Sequence, residues 1–258
     1  MNEKLKRLEL ALKEMKSVAI AYSGGVDSTF LLYEAQKVLG KNAVVGILNV
    51  SPINSTRSTQ SARNTAKVIG ANIIEISVIN SKLKMNPVDR CYICKKSMMS
   101  EIKKISEKLK MNCVAEGSIA DDEPSSRPGM KAIEELGIIS PLKDAGLTKK
   151  EIRQLSAEAN LPTANYASGT CLMTRIPYGE EVSDEKLQTI EKAEEILLSL
   201  GIFNLRVRCH GDLARIEVPC ELLEAVIVHH KHISDEFKKL GFKYTCLDLE
   251  GYRAGSMD

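Results

Sequence analysis

Apolar positions follow two different periods over the first part of the chain. Apolar runs at residues 17–22 and 42–50 are typical of buried strands, the second covered on both faces, and residues 72–78 and 111–115 indicate two further strands. Segments between and after these runs place apolar residues at helical spacing, as residues 95–110 do. We therefore predict an α/β fold with a doubly wound parallel sheet, in which helices connect successive strands.

The pattern changes near residue 178. Residues 183–200 predict a long helix with Ser183 as its N-cap, and the rest of the chain reads as two strands, a helical stretch and a strand. We predict two domains. Residues 1–178 form the parallel-sheet domain, and residues 179–258 form a small α+β domain for substrate binding or oligomerisation.

Composition narrows the possible partners. The 258 residues have a formal net charge of +2 and no tryptophan, whereas nucleic-acid binders are usually strongly basic and offer aromatic platforms, so we expect no nucleic-acid partner. We see no apolar run long enough to cross a membrane, and residues 1–16 resemble an amphipathic helix rather than a secretory signal. We expect a cytoplasmic protein whose seven cysteines stay reduced.

A glycine turn joins the first strand to the first helix that follows it. Its residues are Ser23, Gly24, Gly25, Val26, Asp27 and Ser28. Glycines let a ligand approach the main chain, and the serine hydroxyls and unpaired N–H groups of a helix start can bind a phosphate. Asp27 suits such a site if Mg²⁺ lies between its carboxylate and the phosphate.

This turn lacks the Gly-Lys-[Ser/Thr] of a Walker A loop and the spaced glycines of a dinucleotide fingerprint. It resembles the PP-loop of the ATP pyrophosphatases, which cleave ATP between the α- and β-phosphates. The resemblance implies ATP, Mg²⁺ and a sheet of the adenine nucleotide alpha hydrolase type. The predicted ATP-binding residues are Ala21, Ser23, Gly24, Gly25, Asp27 and Ser28, together with Gly117 and Asp121 of a second Gly-x-x-x-Asp-Asp loop and Arg127 beyond it.

The cysteines suggest further chemistry. Cys91 and Cys94 form a CxxC at the start of a predicted helix, where we expect the helix dipole to lower the thiol pKa. The pair could be a redox couple, part of a zinc site, or buried packing residues. With Cys171, which follows Ser168-Gly169-Thr170, it would also suit a [4Fe–4S] cluster with one iron left open for a sulfide.

The assembled motifs closely resemble those of the LarE family, the sulfur transferases of nickel-pincer cofactor biosynthesis. The resemblance includes the two loops, the Cys171 segment, Arg206-Val207-Arg208-x-His210 and the tail from Leu247 to Met257. It implies that ATP adenylates a carboxylate of a small nucleotide, pyridinium-3,5-biscarboxylic acid mononucleotide. Sulfur from sulfide or another donor then displaces AMP and leaves a thiocarboxylate. Family members form homo-oligomers.

Some family members give up the sulfur of one cysteine at the position of Cys171, and those lack the CxxC. This chain resembles the three-cysteine members instead, so Cys91, Cys94 and Cys171 are the implied catalytic residues and cluster ligands. Bidentate contacts of arginine suit the anionic substrate, and the candidates are Arg175, Arg206, Arg208 and Arg253. Glu194 and Glu217 would orient these arginines or bind a metal. The alternatives are a tRNA thiolase, an amidating synthetase, a nucleotide-binding module without catalysis and sacrificial transfer from Cys171.

Overall fold

A computed structural model of the chain describes residues 2–122, 129–166, 169–253 and 256–257. The chain forms two compact units. The first unit comprises Met1–Ser51, Thr56–Ser81 and Asp89–Gly169, and the second comprises Pro52–Ser55, Lys82–Val88 and Thr170–Asp258. Among the described residues, no helix has the length and apolar composition of a membrane span.

The first unit is built on a parallel sheet. Its strands are β1 (Val18–Tyr22), β2 (Val44–Asn49), β3 (Ile73–Ile76) and β4 (Cys113–Ala115), in the spatial order β3-β2-β1-β4. A parallel bridge between Ala115 and Ile139 extends the sheet beyond β4. The helices are α1 (Asn2–Met15), α2 (Val26–Leu39), α3 (Thr56–Val68), α4 (Arg90–Lys108), α5 (Gly129–Leu136), α6 (Pro141–Asp144) and α7 (Lys149–Glu158).

Helices cover both faces of this sheet, which confirms the predicted α/β class. Ala19 and Ile20 are neighbours in β1 and point to opposite faces. Ile20 joins a cluster with residues of α1, α2 and α7, such as Leu12 and Leu31. Ala19 joins a second cluster with α4 and α5, which includes Ile102. Burial on both faces explains why β1 and β2 lie in apolar runs.

The second unit contains a three-stranded sheet and helices on one face of it. The strands are β5 (Arg206–His210), β6 (Leu213–Glu217) and β7 (Tyr244–Leu247), with β5 antiparallel and β7 parallel to β6. The helices are α8 (Asp184–Ser199), α9 (Leu223–Val228) and α10 (His230–Lys239), and Ser183 caps α8 through the N–H of Lys186. Val207 and Ile216 are buried, whereas the other face of the sheet carries charged residues.

Two short segments from earlier in the chain, residues 52–55 and 82–88, belong to the second unit. Hydrogen bonds to the main chain of later residues connect them to it. The N–H of Leu172 donates to the carbonyl of Ile53 at 2.8 Å, and the N–H of Val182 donates to that of Lys84 at 2.7 Å. The buried Asn86 amide donates to the carbonyl of Ile176 at 2.7 Å. The domain boundary near residue 178 remains a prediction, and no local pattern could have indicated these long-range contacts.

Candidate active site

Hydrogen bonds between its own serines fix the conformation of the glycine turn between β1 and α2. Ser28 Oγ accepts from the N–H of Ser23 at 3.2 Å and lies 3.1 Å from Ser23 Oγ. Gly24 has φ +76°, and a Cβ there would lie 2.4 Å from the Cβ of Ala62 in α3. Only glycine fits both this backbone angle and this close approach. Ala21 lies earlier, in β1, where its half-buried side chain packs on the α4 side of the sheet.

The second predicted loop lies directly against this turn. A Cβ on Gly117 would lie 3.1 Å from the N and 3.3 Å from the Cα of Ser28. The loop follows β4, which is the neighbour of β1, so the carboxyl ends of two adjacent strands bring both motifs together. Within the loop, Asp122 Oδ2 accepts from the N–H of Ile119 at 3.1 Å. Arg127, predicted to contact ATP, lies outside the described residues.

A lysine that the motifs did not indicate completes this arrangement. Lys149 Nζ donates to Asp27 Oδ2 at 2.5 Å, and the N–H of Lys149 donates to Asp121 Oδ2 at 2.7 Å. Asp27 Oδ1 is buried and has no hydrogen-bond partner among the described residues. The capping motif of Thr148 and Glu151 predicted that a helix begins here, but no local pattern indicates that Asp27 lies opposite.

The CxxC lies at the start of α4, which begins at Arg90. Cys91 is exposed and Cys94 is half-buried, and their spacing puts both on one side of the helix. The expected lowering of the thiol pKa is wrong for Cys94. Burial raises the pKa of Cys94, nearby Cys91 raises it further, and Lys95 only partly offsets them. The expectation considered the helix dipole and could not take account of burial.

An ion pair connects this helix to the second loop. Lys95 Nζ lies 3.0 Å from Glu116 Oε2, and Glu116 Oε1 accepts from the N–H of Ser118 at 2.9 Å and from Ser140 Oγ at 2.7 Å. Burial alone would raise the pKa of Glu116, but Lys95 and these two hydrogen bonds outweigh it and leave the pKa below its usual value. The CxxC helix is therefore fastened to the start of the Gly117 loop.

In the second unit, Arg175 fixes the main chain around Cys171. This arginine is 4% exposed and forms a bidentate ion pair with Glu194, with N–O distances of 2.8 and 3.1 Å. Its remaining terminal nitrogen, Nη1, donates to the carbonyl of Cys171 at 3.1 Å and to Thr170 Oγ1 at 2.6 Å. Glu194 Oε1 also accepts from the N–H of Val207 in β5 at 3.1 Å. Arg175 and Glu194 together therefore join the Cys171 loop, α8 and β5.

The charged face of the second sheet contains a buried network. Glu217 is fully buried, and it pairs with Arg208 at 2.7 Å and with Arg215 at 3.0 Å. Arg208 also donates to the carbonyl of Thr174 at 2.8 Å. Ser256 Oγ lies in the same network, donating to Glu217 Oε1 at 2.8 Å. Sequence reasoning did not select Arg215, although its alternation with Glu217 along β6 predicts that the two share a face.

The other two predicted arginines differ in their surroundings. Arg206 is half-buried, with its guanidinium 5.0 Å from the centre of the Tyr252 ring. Burial lowers the pKa of Arg206, and nearby Arg175 lowers it further. Arg253 is exposed and pairs with Glu250. Arg206 therefore lies in a partly desolvated, positively charged setting, whereas Arg253 is in contact with solvent.

Comparison with known proteins agrees with this geometry. The NAD synthase family model matches residues 3–115, which include β1 to β4 and the glycine turn. The chain is 34% identical to the pyridinium-3,5-bisthiocarboxylic acid mononucleotide synthase of Lactiplantibacillus plantarum, covering 97% of this chain and 92% of that protein. It is also 37% identical to an uncharacterized protein of Synechocystis sp., covering 100% of this chain and 98% of that protein. An uncharacterized protein of Methanocaldococcus jannaschii is 35% identical, covering 98% of each.

The chain belongs to the LarE family. The synthase is a PP-loop protein like this chain, and the PP-loop family depends on ATP, so this LarE family member is an ATP-dependent enzyme. The family also implies Mg²⁺, and Asp27 fits that ion, since a carboxylate oxygen is the ligand Mg²⁺ prefers and Asp27 Oδ1 has no other described partner.

A metal role for Glu194 and Glu217 remains a prediction. Their oxygens accept from arginine N–H groups, which fits the other role considered for them, that of orienting the arginines. For the iron–sulfur cluster, the donor chemistry fits, since thiols are the ligands of such clusters. Cys91 and Cys94 belong to the first unit and Cys171 to the second. Within either unit, the residues that the structure describes include no group of three His, Cys, Asp or Glu side chains placed to hold a metal.

Proposed function

We propose that this LarE family member activates a carboxylate of pyridinium-3,5-biscarboxylic acid mononucleotide with ATP and converts it to a thiocarboxylate. The observation that supports this most strongly is the 34% identity, along almost the whole chain, to a synthase named for the bisthiocarboxylic product. A carboxylate is a poor electrophile, so adenylation is a chemically sensible first step because it supplies a good leaving group.

In that step a substrate carboxylate oxygen attacks the α-phosphorus of ATP. The bond from this phosphorus to the oxygen bridging to the β-phosphate breaks, and pyrophosphate leaves with the electron pair. Ser23, Gly25 and Ser28, with the start of α2, would bind phosphate oxygens, and Asp27 would hold Mg²⁺. Gly117 and Asp121 would complete the nucleotide site from the second loop, which lies against the first.

In the second step a sulfide attacks the acyl carbon, the bond from this carbon to the AMP oxygen breaks, and AMP leaves. Among the four predicted arginines, Arg206 has the environment best suited to a substrate anion. Its guanidinium contacts neutral groups, the carbonyl of Leu205 and the side chain of Tyr252. An anionic ligand would bind more strongly to a half-buried guanidinium without a charged partner than to one that is exposed or already paired. Arg175 and Arg208, which already pair with Glu194 and Glu217, would shape the site around it.

For the sulfur we propose that Cys91, Cys94 and Cys171 hold a [4Fe–4S] cluster. Such a cluster, when bound, would supply sulfide at the iron that has no cysteine ligand. Burial raises the pKa of Cys94, which favours the thiol over the thiolate in the metal-free protein. Since metal ligands must be thiolates, formation of the cluster releases this proton.

The test is purification without oxygen, followed by measurement of iron, acid-labile sulfide and the visible spectrum. We expect about four irons per chain and a thiolate-to-iron absorption band, both lost in Cys91→Ala, Cys94→Ala and Cys171→Ala. Cys220→Ala is the matched control, because Cys220 is exposed in the second unit, and it should keep the iron.

Iron-free protein that still thiolates its substrate would contradict the cluster. Loss of one sulfur from Cys171 during turnover would then indicate the sacrificial mechanism. In that mechanism Cys171 Sγ displaces AMP, and breaking its bond to Cβ with removal of the α-proton leaves dehydroalanine. Mass spectrometry of the peptide that contains Cys171 distinguishes the two sources of sulfur.

A further inference from the structure

The contact between Lys149 and Asp27 has no explanation in the motifs. Lys149 is the first residue of α7 and Asp27 lies in the first turn of α2. Their side chains are 32% and 23% exposed, so the pair is accessible to solvent. An ion pair that is only partly buried, as this one is, contributes little to stability, about 0.2–1 kcal/mol when solvent reaches both groups. The stability gained from this ion pair is therefore too small to explain why the Lys149 ammonium lies beside Asp27.

The main chain of Lys149 is held more firmly than its ammonium. Its N–H donates to Asp121, and Thr148 and Glu151 form a complete capping box at the start of the helix. Lys4 Nζ lies 2.9 Å from both Glu151 oxygens, which ties the capping box to α1. The main chain of Lys149 is therefore fixed, while its long side chain extends to Asp27 in the glycine turn.

We infer that Lys149 is a catalytic residue for pyrophosphate release. This rests on the proposed function, because it assumes that ATP binds at the glycine turn. Without nucleotide, the ammonium neutralises Asp27, whose other oxygen is buried and has no described partner. With ATP, Asp27 exchanges the ammonium for the divalent cation, and Lys149 is left to neutralise oxygens of the leaving pyrophosphate.

Charge supports the exchange. The carboxylates of Asp27 and Asp121 contact Lys149. Both would repel a polyphosphate whose charge no cation neutralises. A cation at the leaving group stabilises the negative charge that develops when the bond to the α-phosphorus breaks. The step transfers no proton to or from Lys149, so it needs no additional proton donor.

The test compares wild type, Lys149→Met and the matched control Lys150→Met in the full-length, anaerobically purified protein. Lys150 is the next residue and is exposed. Three quantities are measured: Mn²⁺ affinity of the nucleotide-free protein by electron paramagnetic resonance, pyrophosphate affinity with Mg²⁺ by calorimetry, and pyrophosphate release with substrate.

For Lys149→Met we expect Mn²⁺ to bind about two- to fivefold more tightly, because its competitor for Asp27 is gone. Pyrophosphate should bind more weakly, and kcat for its release should fall about 100-fold. Lys149→Arg should restore part of kcat and the wild-type Mn²⁺ affinity. If Lys149→Met does not fold, Lys149→Gln replaces it in the same comparison.

Wild-type values of all three quantities in Lys149→Met would overturn the inference and leave the proposed function intact. A fall in kcat with unchanged Mn²⁺ and pyrophosphate affinities would also overturn it, because an effect on folding or general structure would explain that result. Wild-type protein that binds no ATP and releases no pyrophosphate would instead refute the proposed function.

Discussion

Gly24 is the residue at which backbone and packing restrict the candidate ATP site most tightly. Gly24→Ala should destabilise the protein by about 1–2 kcal/mol through its positive φ and by a further 1–3 kcal/mol through overlap with Ala62. ATP binding should be lost as well, because the turn must shift. Urea unfolding and calorimetry with ATP measure the two effects.

Gly137→Ala is the matched control for this prediction. Gly137 has φ +63°, and a Cβ there would have nothing within 4 Å. It should lose only the backbone contribution and keep ATP binding. Equal losses of stability in the two variants would show that Ala62 does not restrict the turn.

The Cys94 thiol gives a second prediction at the residue scale. Because its pKa is raised by burial, alkylation of Cys94 in the iron-free protein should be slow at pH 7. The rate should rise only above the ordinary thiol range, since the thiolate is the nucleophile. Lys95→Met should move this midpoint to still higher pH, because Lys95 lowers the pKa.

Mass spectrometry after timed labelling at several pH values measures these rates, with exposed Cys220 as the reference. The midpoint of the pH profile separates the pKa from simple accessibility. A midpoint below that of a cysteine in an unfolded chain would show that the helix dipole lowers the pKa of Cys94, as the sequence predicted. Sequence showed where the cysteines lie on a helix, but burial depends on residues distant in the chain.

At the scale of elements, the ion pair between Lys95 and Glu116 joins α4 to the loop after β4. Lys95→Met should cost about 1–3 kcal/mol at pH 7, because it leaves a buried carboxylate without its cation. Lys96→Met is the control. Its partner Glu135 is about one-third exposed, so this loss should not exceed about 1 kcal/mol.

The pH dependence of this effect has a definite sign. The pKa of Glu116 is lowered in the folded state, so its contribution is present above the unfolded pKa of about 4.3 and is lost as pH falls. Lys95→Met should therefore differ most from wild type near pH 7 and least near pH 3 in urea unfolding. A difference that grows toward low pH would contradict the assigned cause.

The Arg175–Glu194 pair is the corresponding connection in the second unit. Arg175→Met should destabilise this unit by about 3–5 kcal/mol, because it leaves Glu194 and the carbonyls of Thr170 and Cys171 without their donor. Arg253→Met is the control. Arg253 is exposed, so its removal should change stability by no more than about 0.5 kcal/mol. Denaturant unfolding of the full-length protein checks both, and similar losses would contradict the buried role of Arg175.

Local patterns predicted most elements because core-facing strands and capped helices have strong local signals. The capping box of α7 and the Ser183 cap of α8 were read correctly for this reason. The helix that contains the CxxC begins at Arg90, earlier than the apolar spacing from residue 95 suggested. Its first residues pack less deeply, with Cys91 exposed and Cys94 half-buried. The pairing of Lys149 with Asp27 joins residues far apart in the chain, which no local pattern encodes.

For the whole molecule, the weak net charge argues against a tRNA substrate. The formal charge of +2 should give little of the salt-dependent attraction that dominates nucleic-acid binding. We expect no shift of tRNA in a gel at physiological salt and micromolar protein. Tight binding that weakens steeply with salt would favour the tRNA thiolase alternative.

The fold class followed from the pattern of strands and helices along the sequence. The chemistry followed from short motifs at the strand ends. The use of ATP follows from the PP-loop, and the family follows from similarity over almost the whole chain. The charged network of the second unit was predicted only in part. Arg206 and Arg208 were predicted as candidates for binding the anionic substrate, but their contacts with Tyr252 and Glu217 depend on the tertiary structure.

The most direct measurement follows ATP, AMP, pyrophosphate and the pyridinium mononucleotide in one anaerobic reaction that contains Mg²⁺ and sulfide. The proposed function predicts that each carboxylate converted consumes one ATP, releases one AMP and one pyrophosphate, and produces the mass of a thiocarboxylate. Thiocarboxylate formed without AMP, or ATP cleaved to ADP and phosphate, would contradict it.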